Sequence, residues 1–280
     1  MNNYSDIYSA VNDIISAYNL DMPENYKRRD RKEPGRVDKE MYEDKLARLI
    51  KRRFNVQKEK ISTVLNWLLP HKSIDDYIGS IPELNDPETE KKIFNLFIGM
   101  MALGRQLFSM NIGFGINWSQ YDEEASAWAK KYLHEEMEEG LQGFFDALDE
   151  TTMSKLKQEL GNFVEMEGYT IGDVMNGLNN TVLGGDRAQR VAVTEITRVY
   201  AESDDIAGKI VEEEYPGVKV IKTWFTNNDS LVCPICGPMN EVSVLRKDLF
   251  PNGLDGPPAH PNCRCWRSTG TDITGSVELG

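Results

Sequence analysis

Apolar residues at Ile7, Val11, Ile14, Ile15 and Tyr18 recur at intervals of three and four, the spacing of one helix face, and Asp21-Met22-Pro23 ends the run. A second helical period starts at Asp38 and passes through Tyr42, Leu46, Leu49 and Ile50 to Ile61, Val64, Leu65 and Leu68. A break is expected near Asn55 and a stop at Pro70, whose ring cannot continue a helix. Asp86-Pro87 opens the next helix, with Asp at the cap and Pro in the first turn. Its apolar residues, from Ile93, Phe94 and Phe97 to Met100, Met101, Leu107 and Phe108, surround the axis, which predicts a helix buried on all sides.

The run Asn111 to Gly115 interrupts the pattern and divides a helical N-terminal arm, residues 1–112, from the remaining chain. Asp122 is expected to cap a helix carrying Ala125, Trp128, Ala129, Tyr132, Leu133 and Met137 on one face. Met153, Leu156, Leu160, Phe163 and Val164 predict another. Thr170-x-x-Asp173 reads as a capping box, and Gly184-Gly185 ends the short helix it opens. From Asp186 a further helix turns Ala188, Val191, Ala192, Ile196 and Val199 inward. Glu195 and Arg198, one turn apart on it, fit either a surface ion pair or a buried brace.

After Pro216-Gly217 the residues become β-branched and aromatic. Val218 to Phe225 predict a strand, Asn227 to Asp229 a turn, Glu241 to Leu245 a second strand, and Thr269 to Gly280 a polar tail. Two or three short strands cannot hold a lobe together alone. The fold class is therefore α+β and mostly α-helical: a helical arm, a helical domain and a small C-terminal β lobe, residues 218–267, that needs a helix and a staple to complete it.

Net charge narrows the function classes. With 32 basic and 45 acidic side chains the chain carries −13, which argues against a general nucleic-acid coat. Between Glu24 and Lys60 the balance reverses to 14 basic against 8 acidic, which fits a charged, solvated helix face better than a phosphate site. Residues 121–150 carry 10 acidic and 2 basic side chains; Glu135, Glu136, Glu138 and Glu139 lie opposite the apolar face and carry no catalytic reading beside His134. No apolar run reaches membrane-spanning length, and the first residues lack a basic segment and a small-residue cleavage site, so cytosolic synthesis and reduced thiols are expected.

All four cysteines fall in one stretch. Cys233-x-x-Cys236 is followed by His260-x-x-Cys263-x-Cys265, a spacing that brings two short loops around one tetrahedral ion. Thiolates and imidazole suit zinc or an iron–sulfur cluster, and so many ligands describe a closed structural site with no open position for a substrate water. Five candidates stand for four places. Reduced cysteines that simply pack, or disulfides, would account for the same residues, though nothing suggests secretion. A Cys nucleophile with His260 as base lacks an orienting partner, so no catalytic residue is assigned.

The run Trp224-Phe225-Thr226-x-x-Asp229-Ser230-x-Val232-Cys233-Pro234-x-Cys236, with Pro257-Pro258-x-His260-Pro261-Asn262-Cys263-Arg264-Cys265 after it, resembles the end of the domain of phage head morphogenesis proteins similar to phage Mu protein F. Upstream, Arg187, Ala192, Thr194, Glu195 and Tyr200 match that family's R-x-x-x-x-A-x-T-E-x-x-x-x-Y helix, so the resemblance covers roughly residues 113–268. One departure is Asn240-Glu241, where the family pattern has a small residue followed by Gly. The resemblance implies a minor head protein of a tailed phage. Such a protein is made in the bacterial host cytoplasm, sits inside the procapsid or virion on the portal oligomer, and acts in head assembly or DNA ejection; beside it, the residue spacing leads to the expectation of one structural zinc and no enzyme activity. Residues 1–112 become the expected portal-binding part, and capsid or scaffold protein and packaged DNA further contacts. The competing reading is a cytosolic zinc-ribbon-like nucleic-acid binder, for which the basic segment and Arg264-Cys265-Trp266-Arg267 speak.

Overall fold

A computed structural model describes residues 32–67, 74–112, 117–134, 143–166, 168–227 and 229–272. The expected first helix, around Ile7 to Tyr18, lies outside the described residues, as do the carboxylates from Glu135 to Glu139. Seven helices come first among the described residues: α1 Arg36–Trp67, α2 Ile74–Gly79, α3 Pro87–Asn111, α4 Trp118–His134, α5 Phe144–Glu165, α6 Ile171–Asn180 and α7 Gly185–Glu214. Strands β1 Lys219–Phe225, β2 Ser243–Leu245 and β3 Trp266–Asp272 come after them, in the antiparallel order β2-β1-β3. The protein is thus mostly helical with one small sheet.

Among the described residues two compact units form, each discontinuous in sequence: those within 32–43, 97–126 and 190–272 in the first, and those within 44–96 and 127–189 in the second. Neither unit ends at residue 112. The apolar faces of α1 and α3, expected on an arm with little domain around it, are instead core: Leu46, Ile50, Phe54 and Ile61 in the second unit, Phe97, Met100, Met101 and Phe108 in the first. Around Arg53 the second unit also buries charge. Its guanidinium bonds Glu90 and, at 2.9 Å, Asp149, which also accepts from Gln57 at 2.6 Å. Removing one partner of such a network is costlier than never having built it.

Several local expectations change. Helix α1 runs unbroken through Asn55, because that residue faces solvent and a polar side chain there costs only its weak propensity. Helix α3 is capped as expected, Asp86 Oδ1 accepting from the amide of Thr89 at 3.3 Å, but it is not buried all round. Phe94, Leu96, Leu103 and Leu107 are half-buried and Met110 is exposed. By length and composition α3 is apolar enough to cross a membrane, yet one face of it is core and Arg105 is bonded to Asp122 at 2.5 Å. Helix α4 starts before Asp122: Asn117 Oδ1 accepts from the amide of Gln120 at 3.3 Å, and Asp122 lies within the helix. The capping box at Thr170 and Asp173 forms with both of its bonds.

In the first unit α7 is the backbone on which the sheet rests. Close approach demands small residues: a Cβ on Gly104 would collide with Ser203 Oγ, and one on Gly208 would lie 3.0 Å from Val220 of β1. Ser203 and Tyr121 both donate to the carbonyl of Met101, at 3.1 and 2.8 Å, locking α3, α4 and α7 at that level. β1 alternates, with Val220, Lys222 and Trp224 inward. Thr269 to Asp272, expected in the tail, continue β3 and pair with Lys219 to Lys222. Pairing and the bond from Thr269 Oγ1 to Asp204 at 3.1 Å hold this polar segment, which no apolar alternation announces.

Candidate metal centre

The core of the β lobe is Trp224, Cys236, Met239, Phe250, Leu254, Ala259, Cys263 and Cys265, so the cysteines are built into the hydrophobic centre. Trp224 packs edge-on against Phe250 with ring centroids 5.2 Å apart. Cys233 and Cys236 sit on a tight turn, the amides of Cys236 and Gly237 donating to the carbonyl of Cys233 at 3.2 and 2.9 Å. A second turn, closed by the Cys263 amide on the His260 carbonyl at 3.1 Å, carries the other three candidates.

All five expected ligands converge. Nε2 of His260 lies 3.2 Å from Cys233 Sγ and 3.5 Å from Cys236 Sγ, and Cys236 Sγ lies 3.9 Å from Cys263 Sγ. Cys233, Cys236 and His260 form one group able to hold a metal ion, Cys236, Cys263 and Cys265 another, with Cys236 common to both. A tetrahedral ion with sulfur at about 2.3 Å sets neighbouring sulfurs about 3.8 Å apart, so the spacings fit such an ion. All four cysteines are free, and no disulfide links them. Nδ1 of His260 lies 2.9 Å from the carbonyl of Pro261; donating there, it fixes Nε2, which faces the thiols, as the nitrogen that would bind a metal once deprotonated.

Proton affinities in the cluster diverge. The hydrogen bond from Cys236, with His260 alongside, pulls the Cys233 thiol down to about 4. Burial disfavours the His260 imidazolium, but Cys233 and Cys263 outweigh it and raise His260 to about 11. Cys236 is pushed up by its bond to Cys233, and Cys263, despite burial, is held low by Cys236, Cys265 and His260. Cys265 is lowered by Cys236 but raised more by Cys263 and by burial. Without a metal, Cys233 and Cys263 are therefore thiolates and the protons stay on Cys236, Cys265 and His260. A divalent cation would supply the positive charge better and displace the protons.

What aims the ligand turns was missed by sequence reasoning. Glu195, read as either half of a surface ion pair or a buried brace, is buried and pairs with Arg198 on its own helix at 3.3 Å. Its neighbours on α7 reach the lobe. Thr194 Oγ1 accepts from the amide of Asn262 at 2.7 Å, and Thr197 Oγ1 donates to the carbonyl of Cys263 at 3.1 Å. Three residues apart, they share one face of α7 and grip both sides of the His260 turn. Asn262 stands at φ +63°, a left-handed position that Asn tolerates. The indole N–H of Trp224, packed in the same core as Cys265, is buried without a hydrogen-bond partner among the described residues.

Arg264 and Arg267, which favoured nucleic-acid binding in the sequence, have buried side chains. Arg264 pairs with Asp229 at 2.8 Å; Arg267 bonds the carbonyl of Ala201 and lies 3.8 Å from Asp205 and 3.7 Å from Asp255. Trp266 stacks on Phe225 at 4.3 Å. None of these groups is presented to a phosphate backbone.

Residues 155–268 match the family model described as Phage Mu protein F like protein. The match runs from α5 through the ligand turns into β3, beginning later than residue 113 and ending where the resemblance placed its end. No curated protein and no solved structure matches the chain.

Proposed function

We propose that this protein is a minor head protein of a tailed phage or prophage, bound to the portal inside the procapsid and serving head assembly or DNA ejection. The observation that carries the reading is the family match over residues 155–268, which contains the whole metal cluster and the α7 face that supports it. The cluster is structural and takes one zinc through Cys233, Cys236, His260 and Cys263, with Cys265 outside the ion. Its donors are buried or half-buried and bonded to one another, and their role is to supply the folding energy that a three-stranded sheet lacks.

Residues 1–112 lie outside the family match and are assigned to the portal. Because α1 and α3 carry core residues, the test uses surface changes and not deletion. The full chain, co-expressed with the portal protein of the same phage or prophage, should sediment with the portal ring. Arg48→Glu with Lys51→Glu, both exposed on α1, should weaken that association. A wild-type chain that sediments alone would overturn the portal role; an unchanged double variant would overturn the assignment of α1.

A further inference from the structure

Within the first unit, α1, α3 and the start of α4 enclose an open groove of about 550 Å³. Met41, Tyr42, Ala102, Leu103, Gln106 and Trp118 are among its walls, and Met41 is exposed, as is the nearby Val37. Arg105 closes one side, its guanidinium 5.2 Å over the Trp118 ring and bonded to Asp122. The groove has an apolar and aromatic floor edged by Asp38, Arg105 and Ser109, a mixed lining that suits an amphipathic helix laid in with its apolar ridge down. It opens beside the first turns of α1, a few residues after the described chain begins at Lys32.

We propose that the occupant of this groove is the chain's own N-terminal stripe, Ile7, Val11, Ile14, Ile15 and Tyr18. Three observations single it out. The stripe has helical spacing, and three residues of it fit such a groove as anchors at i, i+4 and i+7 (Ile7, Val11, Ile14). From Tyr18 to Lys32 the chain spans up to about 46 Å when extended, while Met41 stands only about 8 Å along α1 from Arg36, so the tether reaches. A short tether holds the segment at roughly millimolar effective concentration, which favours it over a second copy or a free partner at the concentrations of a cell. Of the charges at the groove, Arg105 attracts Asp6, Asp13 and Asp21 of residues 1–22 while Asp38 repels them, so the apolar stripe and the tether carry the assignment.

The test places a photo-cross-linking benzoylphenylalanine at Gln106 in the full chain and maps the adducts by mass spectrometry. Intrachain adducts to residues 7–18 are expected, and Ile14→Asp should lower their yield about tenfold, since it places a charge where an apolar anchor sits. Adducts between two copies, adducts to other segments, no adduct, or a yield unchanged by Ile14→Asp would each overturn the assignment. The inference is independent of the head role, since the experiment uses the isolated chain.

Discussion

Glu241 stands where the family pattern has Gly, and it is held at φ +64°. Its amide donates to the Trp224 carbonyl at 2.7 Å, while Asn240 Oδ1 accepts from the amide and hydroxyl of Thr226 at 3.0 Å, so the turn cannot relax without breaking the entry to the ligand loop. A non-glycine residue in this left-handed region costs about 1 to 2 kcal/mol. Gly removes that strain but loses about 0.4 to 1 kcal/mol through the greater freedom of its unfolded chain. The Glu241 side chain is exposed, so little else is lost. Glu241→Gly should therefore stabilise the protein by about 0.5 to 1 kcal/mol, which for a chain this long raises Tm by about 2 °C. Urea titration followed by Trp fluorescence measures it, with the dependence on denaturant unchanged. A variant less stable than wild type would refute the strain argument and show that the Glu241 side chain contributes something its exposure hides.

Thr194→Val keeps the shape of the α7 face but leaves the Asn262 amide without its acceptor; a loss of about 1 to 3 kcal/mol in chemical denaturation is expected, together with weaker metal retention. Burial and neighbouring Asp205 raise Glu202 to about 7 even with Arg267 nearby. Its folded value lies above its unfolded one, so its contribution is full below the ordinary carboxylate range and is lost as pH rises through about 7. Glu202→Gln should accordingly be more stable than wild type by about 1 to 2 kcal/mol near pH 8, with the gap closing toward pH 5, as melting at several pH values would show. Cys236→Ser, or removal of metal by a chelator, should strip hydrogen-exchange protection from residues 218–267 while the helices before Gly185 keep theirs, and Cys265→Ser should retain stoichiometric zinc. Loss of an enzymatic activity in Cys236→Ser with protection intact would move the site to catalysis.

The ligand cluster was legible because metal geometry constrains sequence spacing: C-x-x-C and H-x-x-C-x-C each fit one turn, and the structure brings all five side chains together. The helices were legible from apolar periodicity for the same reason, and Thr170 with Asp173 from a two-residue signature. What stayed hidden depends on distant partners. Thr194 and Thr197 look like ordinary helix residues until Asn262 and Cys263 arrive beside them. Lys222 reads as the polar side of β1 yet is buried and paired with Asp255, over the Phe250 ring. β3 is polar because it is fixed by its ladder with β1, and α3 looks encircled by apolar residues because half of them face only partly covered ground. The position of Glu241 is the reverse case: the departure from the family pattern drew attention to this turn, and its positive φ then gave the reason.

The head role is tested most directly in the particle itself. DNA-filled heads of a phage encoding this chain, purified and treated with protease before quantitative mass spectrometry, should contain it intact, in low copy number beside the portal protein, and with one zinc per chain after extraction. Its absence from heads, or its digestion from their outside, would contradict the account.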